Sequence, residues 1–287
     1  MDFPQASGYA TQQAQRLAGD LYPGPVLMPR GFLRALDPLL AVALGPAQQP
    51  SEAFRAALER TMKGRPDGPL LLALWSTLQA GEMPHGDFRE LLDLLSTPLP
   101  CPPADREELL AELAPKCGSF GRCALAVLQR QDPEALQAAE DLGIGLCLTH
   151  LLVRLPSDLG RQRFYLPLND LEASGLQPAD LAQGLMTPKV RHWFVRECDW
   201  ARHYLDLGLP LSHHIGARLR RGLRAMVLRA RALLDQMEQG EVDCFRRPPA
   251  LKLWTRWGLA LRSLTSIQPI TTALNSRSKP VENHERP

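Results

Sequence analysis

The stretch Gly143-Ile-Gly-Leu-Cys-Leu-Thr-His-Leu-Leu152 decides how this chain folds. It is almost wholly apolar and lies in a segment that opens with Asp132-Pro133. An Asp at that position can accept a hydrogen bond from the free amides of a helix start, and Pro is favourable at the first helical position. The reading is a long helix from Pro133 to about Val153. Its apolar run, Gly143–Val153, is shorter than the ~18–20 residues a membrane-spanning helix needs. No spanning helix is therefore expected.

Outward from that helix, the chain keeps the same character. Aromatic residues are only 6% of the 287, and Leu and Ala carry the apolar content instead. Such side chains lose little freedom in a helix. Apolar periodicity and stop signals give helices at Arg30–Leu44, Glu52–Met62 (capped by Ser51), Leu70–Ala80, His85–Leu95, Asp105–Ala114, Lys116–Gln129, Pro188–Leu207, His214–Gln239 and Leu251–Ser266. Short helices are expected at Asn169–Ser174 and Pro178–Gly184, and an irregular segment at Pro156–Pro167. The 26 prolines are expected between helices rather than inside them. No strand-period segment or repeat is visible. The expected architecture is a single all-α domain of about ten or more helices over residues 15–266. A flexible leader, 1–14, precedes it and a disordered polar tail, 267–287, follows.

The formal net charge is +2, which gives no global field toward nucleic acid. The charge is unevenly placed: residues 189–287 hold 18 Lys/Arg against 9 Asp/Glu, and the remainder 15 against 22. Solvated helix faces account for this excess, and so does contact with an anionic lipid or a diphosphate. Six cysteines occur without a CxxC or metal-finger spacing, which suits reduced thiols. The N-terminus lacks a basic region followed by an apolar one. The expected location is cytoplasmic, with peripheral contact to the inner membrane as the option the basic C-terminal third leaves open. No P-loop, dinucleotide glycine fingerprint, nucleophile elbow or zinc-hydrolase motif is present.

Gly143–Leu152, followed by Asp158 and by Arg163-Phe164-Tyr165-Leu166-Pro167, resembles the squalene/phytoene synthase family. That family carries a G-x-x-L-Q-L-T-N-I-L-R-D-x-x-x-D helix followed by R-x-Y-L-P. Tyr22 with Leu27-Met28-Pro29, Cys117-Gly118-Ser119-Phe120-Gly121, and Arg246-Arg247-Pro248 resemble further family elements in the same order. The similarity runs over roughly residues 15–265. It implies the isoprenoid synthase fold, with helices around one central apolar cavity, and a chemistry that joins two prenyl diphosphates head to head.

The resemblance also implies a metal requirement. Family members hold Mg²⁺ on two aspartate-rich motifs of facing helices. Carboxylates at i and i+4 share one helical face, and Mg²⁺ prefers oxygen ligands. This sequence departs from that pattern. The first motif falls at Ala47-Gln48-Gln49-Pro50-Ser51, and between Pro29 and Ser51 the only acid is Asp37. The second places Arg154 and Asp158 at its two acidic positions, with Pro156 between them, which puts the i, i+4 helical geometry in doubt. The family's Gln and Asn fall at Cys147 and His150, and an Asp usual after the fourth or fifth helix falls near Pro98.

Asp158 is thus the one retained metal-ligand candidate, and no metal or other cofactor is expected unless the chain is an active Mg²⁺-dependent prenyltransferase. The candidate diphosphate-binding residues are Arg154, Asp158, Arg161, Arg163 and Tyr165, since guanidinium forks suit phosphate oxygens. Arg154 pairing structurally with Asp158, and Tyr165 simply packing the helix exit, are the alternatives. His150 reads as a core histidine and Cys147 as a small core filler. His213 and His214 diverge on a helix and form no metal pair.

Two functions follow from the resemblance. One is a non-catalytic protein that holds an isoprenoid lipid or a protein partner. The superfamily offers a precedent in a mitochondrial complex I assembly factor that lacks intact aspartate motifs. The other is an active prenyltransferase on farnesyl or geranylgeranyl diphosphate in squalene, hopanoid or carotenoid synthesis. The Arg-rich helix after His214, and Trp254 and Trp257 with Lys252, Arg256 and Arg262, are compatible with a membrane surface or with an ordinary core boundary.

Overall fold

The computed structural model describes residues 3–22, 27–45, 51–80, 84–95, 97–239, 245 and 249–265. The tail 267–287, Ala47–Pro50 and Arg246–Pro248 lie outside them. The regular secondary structure of the described residues is all helical, in thirteen α-helices and one 3₁₀ turn. The chain runs α1 (Phe3–Ala18), the 3₁₀ turn (Gly19–Leu21), α2 (Arg30–Leu44), α3 (Glu52–Met62), α4 (Pro69–Gln79) and α5 (His85–Leu95). There follow α6 (Arg106–Val127), α7 (Pro133–Leu159), α8 (Leu168–Ala173), α9 (Pro178–Ala182), α10 (Pro188–Leu207), α11 (Leu211–His214), α12 (Ala217–Gln239) and α13 (Leu253–Thr265).

Local chemistry sets most helix starts. Ser51, Asp105, Asp132 and Thr187 each accept a hydrogen bond from the backbone amide three residues on, at 2.9–3.3 Å. Pro133 and Pro188 follow two of these caps at the first helical position. Each cap satisfies an amide that would otherwise lack a partner.

Four expectations are corrected. Of the segment expected as a flexible leader, residues 3–14 lie in helix α1. Helix α1 places Ala6, Ala10 and Ala14 at four-residue spacing, fully buried, with Ala6 and Ala10 against Ala73 of α4. Small residues conceal an apolar stripe in a segment whose other positions are mostly polar. Asp105–Ala114 and Lys116–Gln129 are one helix, α6, with Pro115 inside it. Pro38 and Pro156 also lie inside helices. An interior Pro costs ~3 kcal/mol, but buried Leu113 and Cys117 flank Pro115 and their packing offsets that loss. Finally, α7 continues through Pro156 to Leu159, so the segment after Val153 is helical and the i, i+4 geometry is kept.

The extended α7 has 27 residues and over an 18-residue window is long and apolar enough to cross a membrane, by length and composition alone. Half of that window is buried within the protein, which is the behaviour of a core helix. Helices α6, α10, α11 and α12 pack around it. Its small residues set the closeness of two of those contacts. A Cβ at Gly145 would lie 2.6 Å from the backbone nitrogen of Leu205 on α10, and one at Gly143 would lie 2.9 Å from Cβ of Cys117 on α6. The principal core gathers on these helices, with Leu148, Leu152, Trp193, Phe194, Leu205 and Leu234 nearly or fully buried. A second cluster joins α2 to α5, with Leu39, Leu74, Phe88 and Leu91 at its centre.

Candidate functional site

Between the two clusters lies an apolar cavity of about 250 Å³. Leu40, Ala43 and Leu44 of α2 form one wall. Gly143, Leu146, Cys147, His150 and Leu151 of α7 form the facing one. Lys116, Cys117 and Phe120 of α6, Pro98 and Leu99, Tyr165, and Met226 of α12 complete it. Periodicity explains the α7 wall: residues 143, 146, 147, 150 and 151 share one helical face.

The α2 wall is apolar because its acid points elsewhere. Asp37 is 1% exposed and lines a separate cleft against α1. Its carboxylate accepts from Thr11 Oγ1 at 2.6 Å and from the Tyr22 hydroxyl at 3.0 Å. Burial pushes the Asp37 carboxyl above its usual range, and the hydrogen bonds from Thr11 and Tyr22 pull the other way. Asp37 therefore ties α1 and the 3₁₀ turn to α2.

On the α7 wall, Cys147 packs against the core, as expected, and also lines the cavity. Its Sγ lies 3.8 Å from Sγ of Cys117. The hydrogen bond from Cys117 and the nearby Lys116 ammonium hold the Cys147 thiol below the ordinary range, while Cys117 is pushed well above it. His150 also faces the cavity. Burial, then the charge of Arg154, lowers its pKa to about 4, so it is neutral at physiological pH. The Lys116 Nζ donates to Glu112, at 2.7 Å from Oε2.

One turn beyond His150, the predicted residues come together. Arg154 Nη2 stands 3.8 Å from Asp158 Oδ1. The chain then turns back on itself, because the amides of Arg161 and Arg163 donate to the Asp158 carbonyl at 2.9 and 2.8 Å. This brings both side chains into the field of the Asp158 carboxyl. Burial raises its pKa, and Arg154, Arg161 and Arg163 each lower it. Tyr165, two residues on, lines the cavity. The spacing of Arg154 and Asp158 was legible in the sequence. Arg161 and Arg163 stand among the candidates read from the sequence, whereas the cysteine pair and Lys116 do not, since they need an α6–α7 contact to form.

Three guanidinium groups around one buried carboxylate leave this end net positive. Among the described residues, no group of three or more His, Cys, Asp or Glu side chains is placed to hold a metal ion. Among the described residues, Asp158 is a lone carboxylate that already faces Arg154, and the neighbouring arginines would repel a divalent ion. They do fit an anion with several oxygens.

Fold and site together define an all-α protein that encloses an apolar cavity with a basic end. Residues 24–257 match the family model described as squalene/phytoene synthase. A phytoene synthase of Thermus thermophilus is 31% identical over 206 residues, with 71% of each chain covered. A dehydrosqualene synthase solved with a ligand superimposes with a TM-score of 0.76 at 16% identity, covering 91% of this chain and 96% of the other. The squalene synthase HpnC of Alicyclobacillus acidocaldarius gives a TM-score of 0.67 at 20% identity, covering 83% and 94%. The chain belongs to the squalene/phytoene synthase family, and its fold is that of the isoprenoid synthases.

Proposed function

We propose that this chain binds a prenyl diphosphate without a divalent cation and does not ionise it. The hydrocarbon occupies the cavity between α2 and α7. The diphosphate meets Arg154, Arg161 and Arg163, with Tyr165 between head and tail. One observation carries the reading: the end of α7 gathers three arginines on one aspartate, where the family resemblance calls for paired acids. Expelling pyrophosphate from an allylic carbon needs strong stabilisation of the leaving charge. Guanidinium groups can hold the ground-state anion, but rate requires interactions that strengthen as the bond breaks. Here Asp158 competes for the same arginines, which blunts that strengthening.

The test combines binding and turnover. Farnesyl and geranylgeranyl diphosphate are expected to raise the melting temperature equally with Mg²⁺ and with EDTA, and to yield no pyrophosphate. Pyrophosphate release that EDTA abolishes would overturn the proposal. It would instead support an active prenyltransferase, the second reading, which the 31% identity to a phytoene synthase favours. Absence of any thermal shift would point to a protein partner in place of a lipid.

A further inference from the structure

The last helix carries two apolar faces, and the described residues cover only one of them. Leu251, just before α13, and Leu259 and Ser263 within it, are buried, the leucines against Leu233 of α12. Leu21 and Val153 pack onto the same cluster. Leu21 also lines the cavity, and Val153 precedes Arg154, so α13 lies one layer outside the candidate site. The opposite face is formed by residues 254, 257, 258 and 261, which fall within about one-sixth of a turn on either side of a line along the helix. There Trp254 is 84% exposed, Trp257 57% and Leu261 61%. Among the described residues six large apolar side chains are exposed, and half of them sit on this one face. Scattered exposure needs no explanation, but two solvated indoles and a leucine in register do.

The charges around this face select its occupant. Lys252, Arg256 and Arg262 lie on the same helix segment, and Arg256 also pairs with Asp20. From Phe245 to Pro280 the sequence contains seven Lys/Arg and no Asp or Glu. Indoles favour the headgroup depth of a bilayer, where the ring is buried and its N–H stays hydrated. Lys and Arg beside them gain about 1 kcal/mol each from an anionic surface. A helix that is apolar outward, basic at its flanks and free of acids is complementary to such a surface.

We infer that the outer face of α13, built on Trp254, Trp257 and Leu261, docks the protein on an anionic phospholipid bilayer. Docking would set the α12–α13 side against the membrane, next to the layer of Leu21 and Val153 that borders the cavity.

The inference does not depend on the proposed ligand, because the test uses vesicles free of prenyl diphosphate. The full chain is floated with phosphatidylcholine vesicles, with and without phosphatidylglycerol, at low and high salt. Binding is expected only with phosphatidylglycerol and is expected to weaken with salt. Trp254→Ser with Trp257→Ser is expected to lower it about tenfold or more, since each indole loses its burial. Both side chains are exposed, so the helical circular dichroism should be unchanged. A second measurement needs no variant: brominated phospholipid should quench part of the tryptophan emission of the unmodified chain. Equal binding by the double variant would overturn the inference. So would equal binding to neutral vesicles, or vesicle binding without quenching. Concentration-dependent self-association lost in the double variant, with no flotation, would assign the face to a second copy of the chain and also overturn it.

Discussion

The two walls of the cavity are built from helices of similar apolar content, yet they differ in what they do with polarity. Helix α2 turns its single carboxylate, Asp37, away from the cavity and spends it on Thr11 and Tyr22. Helix α7 turns a thiol and an imidazole toward the cavity and ends in Arg154 and Asp158. One wall is therefore purely a hydrocarbon surface, and the other is a hydrocarbon surface with a cationic terminus. A cavity of this kind distinguishes the two ends of an amphipathic guest. It holds charge at one end only, whereas a pair of facing acidic motifs would hold it between both walls.

That contrast can be broken most severely through α7. Gly145→Ala places a methyl group against the α10 backbone at 2.6 Å. A backbone neighbour cannot rotate aside, so the two helices must separate. The expected loss is about 2–3 kcal/mol, measured by denaturant unfolding. An unchanged midpoint would mean that the α7–α10 contact is looser than described.

The next effect is on binding. Arg154→Ala and Arg163→Ala are each expected to weaken farnesyl diphosphate about tenfold or more, as the loss of a charge-assisted hydrogen bond implies. EDTA should leave the affinity unchanged. Titration calorimetry of both variants would show whether the basic end carries the head group. Equal affinity in the two variants and the parent chain would erase the difference between the walls.

A third prediction concerns what supports the α7 wall from behind. On α10, Glu197 is fully buried, and its Oε1 lies 3.3 Å from Arg106 Nη2. Burial raises its pKa to about 7, against the pull of Arg106. A carboxyl whose folded value lies above its unfolded value stabilises the fold below about pH 4.5 and loses that contribution as pH rises through about 7. The difference corresponds to roughly 3 kcal/mol. Glu197→Gln should therefore flatten the fall in melting temperature between pH 5 and pH 8. A parallel pH profile in the variant would show that Glu197 does not titrate in this range.

The smallest effect belongs to the α2 side. Asp37→Asn keeps one acceptor and loses the charge that Thr11 and Tyr22 address. It should cost about 1 kcal/mol of stability and leave prenyl diphosphate binding unaltered. A loss of binding without a loss of stability would place Asp37 in the ligand site after all.

Much of this was readable along the chain. Helical period, Asp and Ser caps and Pro at first helical positions locate α3, α10 and the start of α7 almost to the residue, because these signals act within one turn, whereas α7 runs six residues beyond the Val153 that its apolar pattern indicates. The i, i+4 spacing of Arg154 and Asp158 is equally local, but Pro156 between them hides that one helix carries both. Reading failed where short-range signals mislead. Pro115 and Pro156 look like stops, and are not, because packing on both sides compensates one lost backbone hydrogen bond. Alanines at 6, 10 and 14 look like nothing in particular until α4 and α2 cover them.

The sequence by itself determined an all-helical chain of this family, the polarity of each helix face, and an acid-poor, arginine-rich end to α7. Tertiary structure decided the rest: that Cys117 meets Cys147, that Asp37 serves α1 rather than the cavity, that Arg161 and Arg163 return to Asp158, and that one face of α13 stays bare. The reason is one of range. Helical geometry fixes which side chains share a face, but which faces meet depends on close packing among residues tens of positions apart, and no local pattern encodes it.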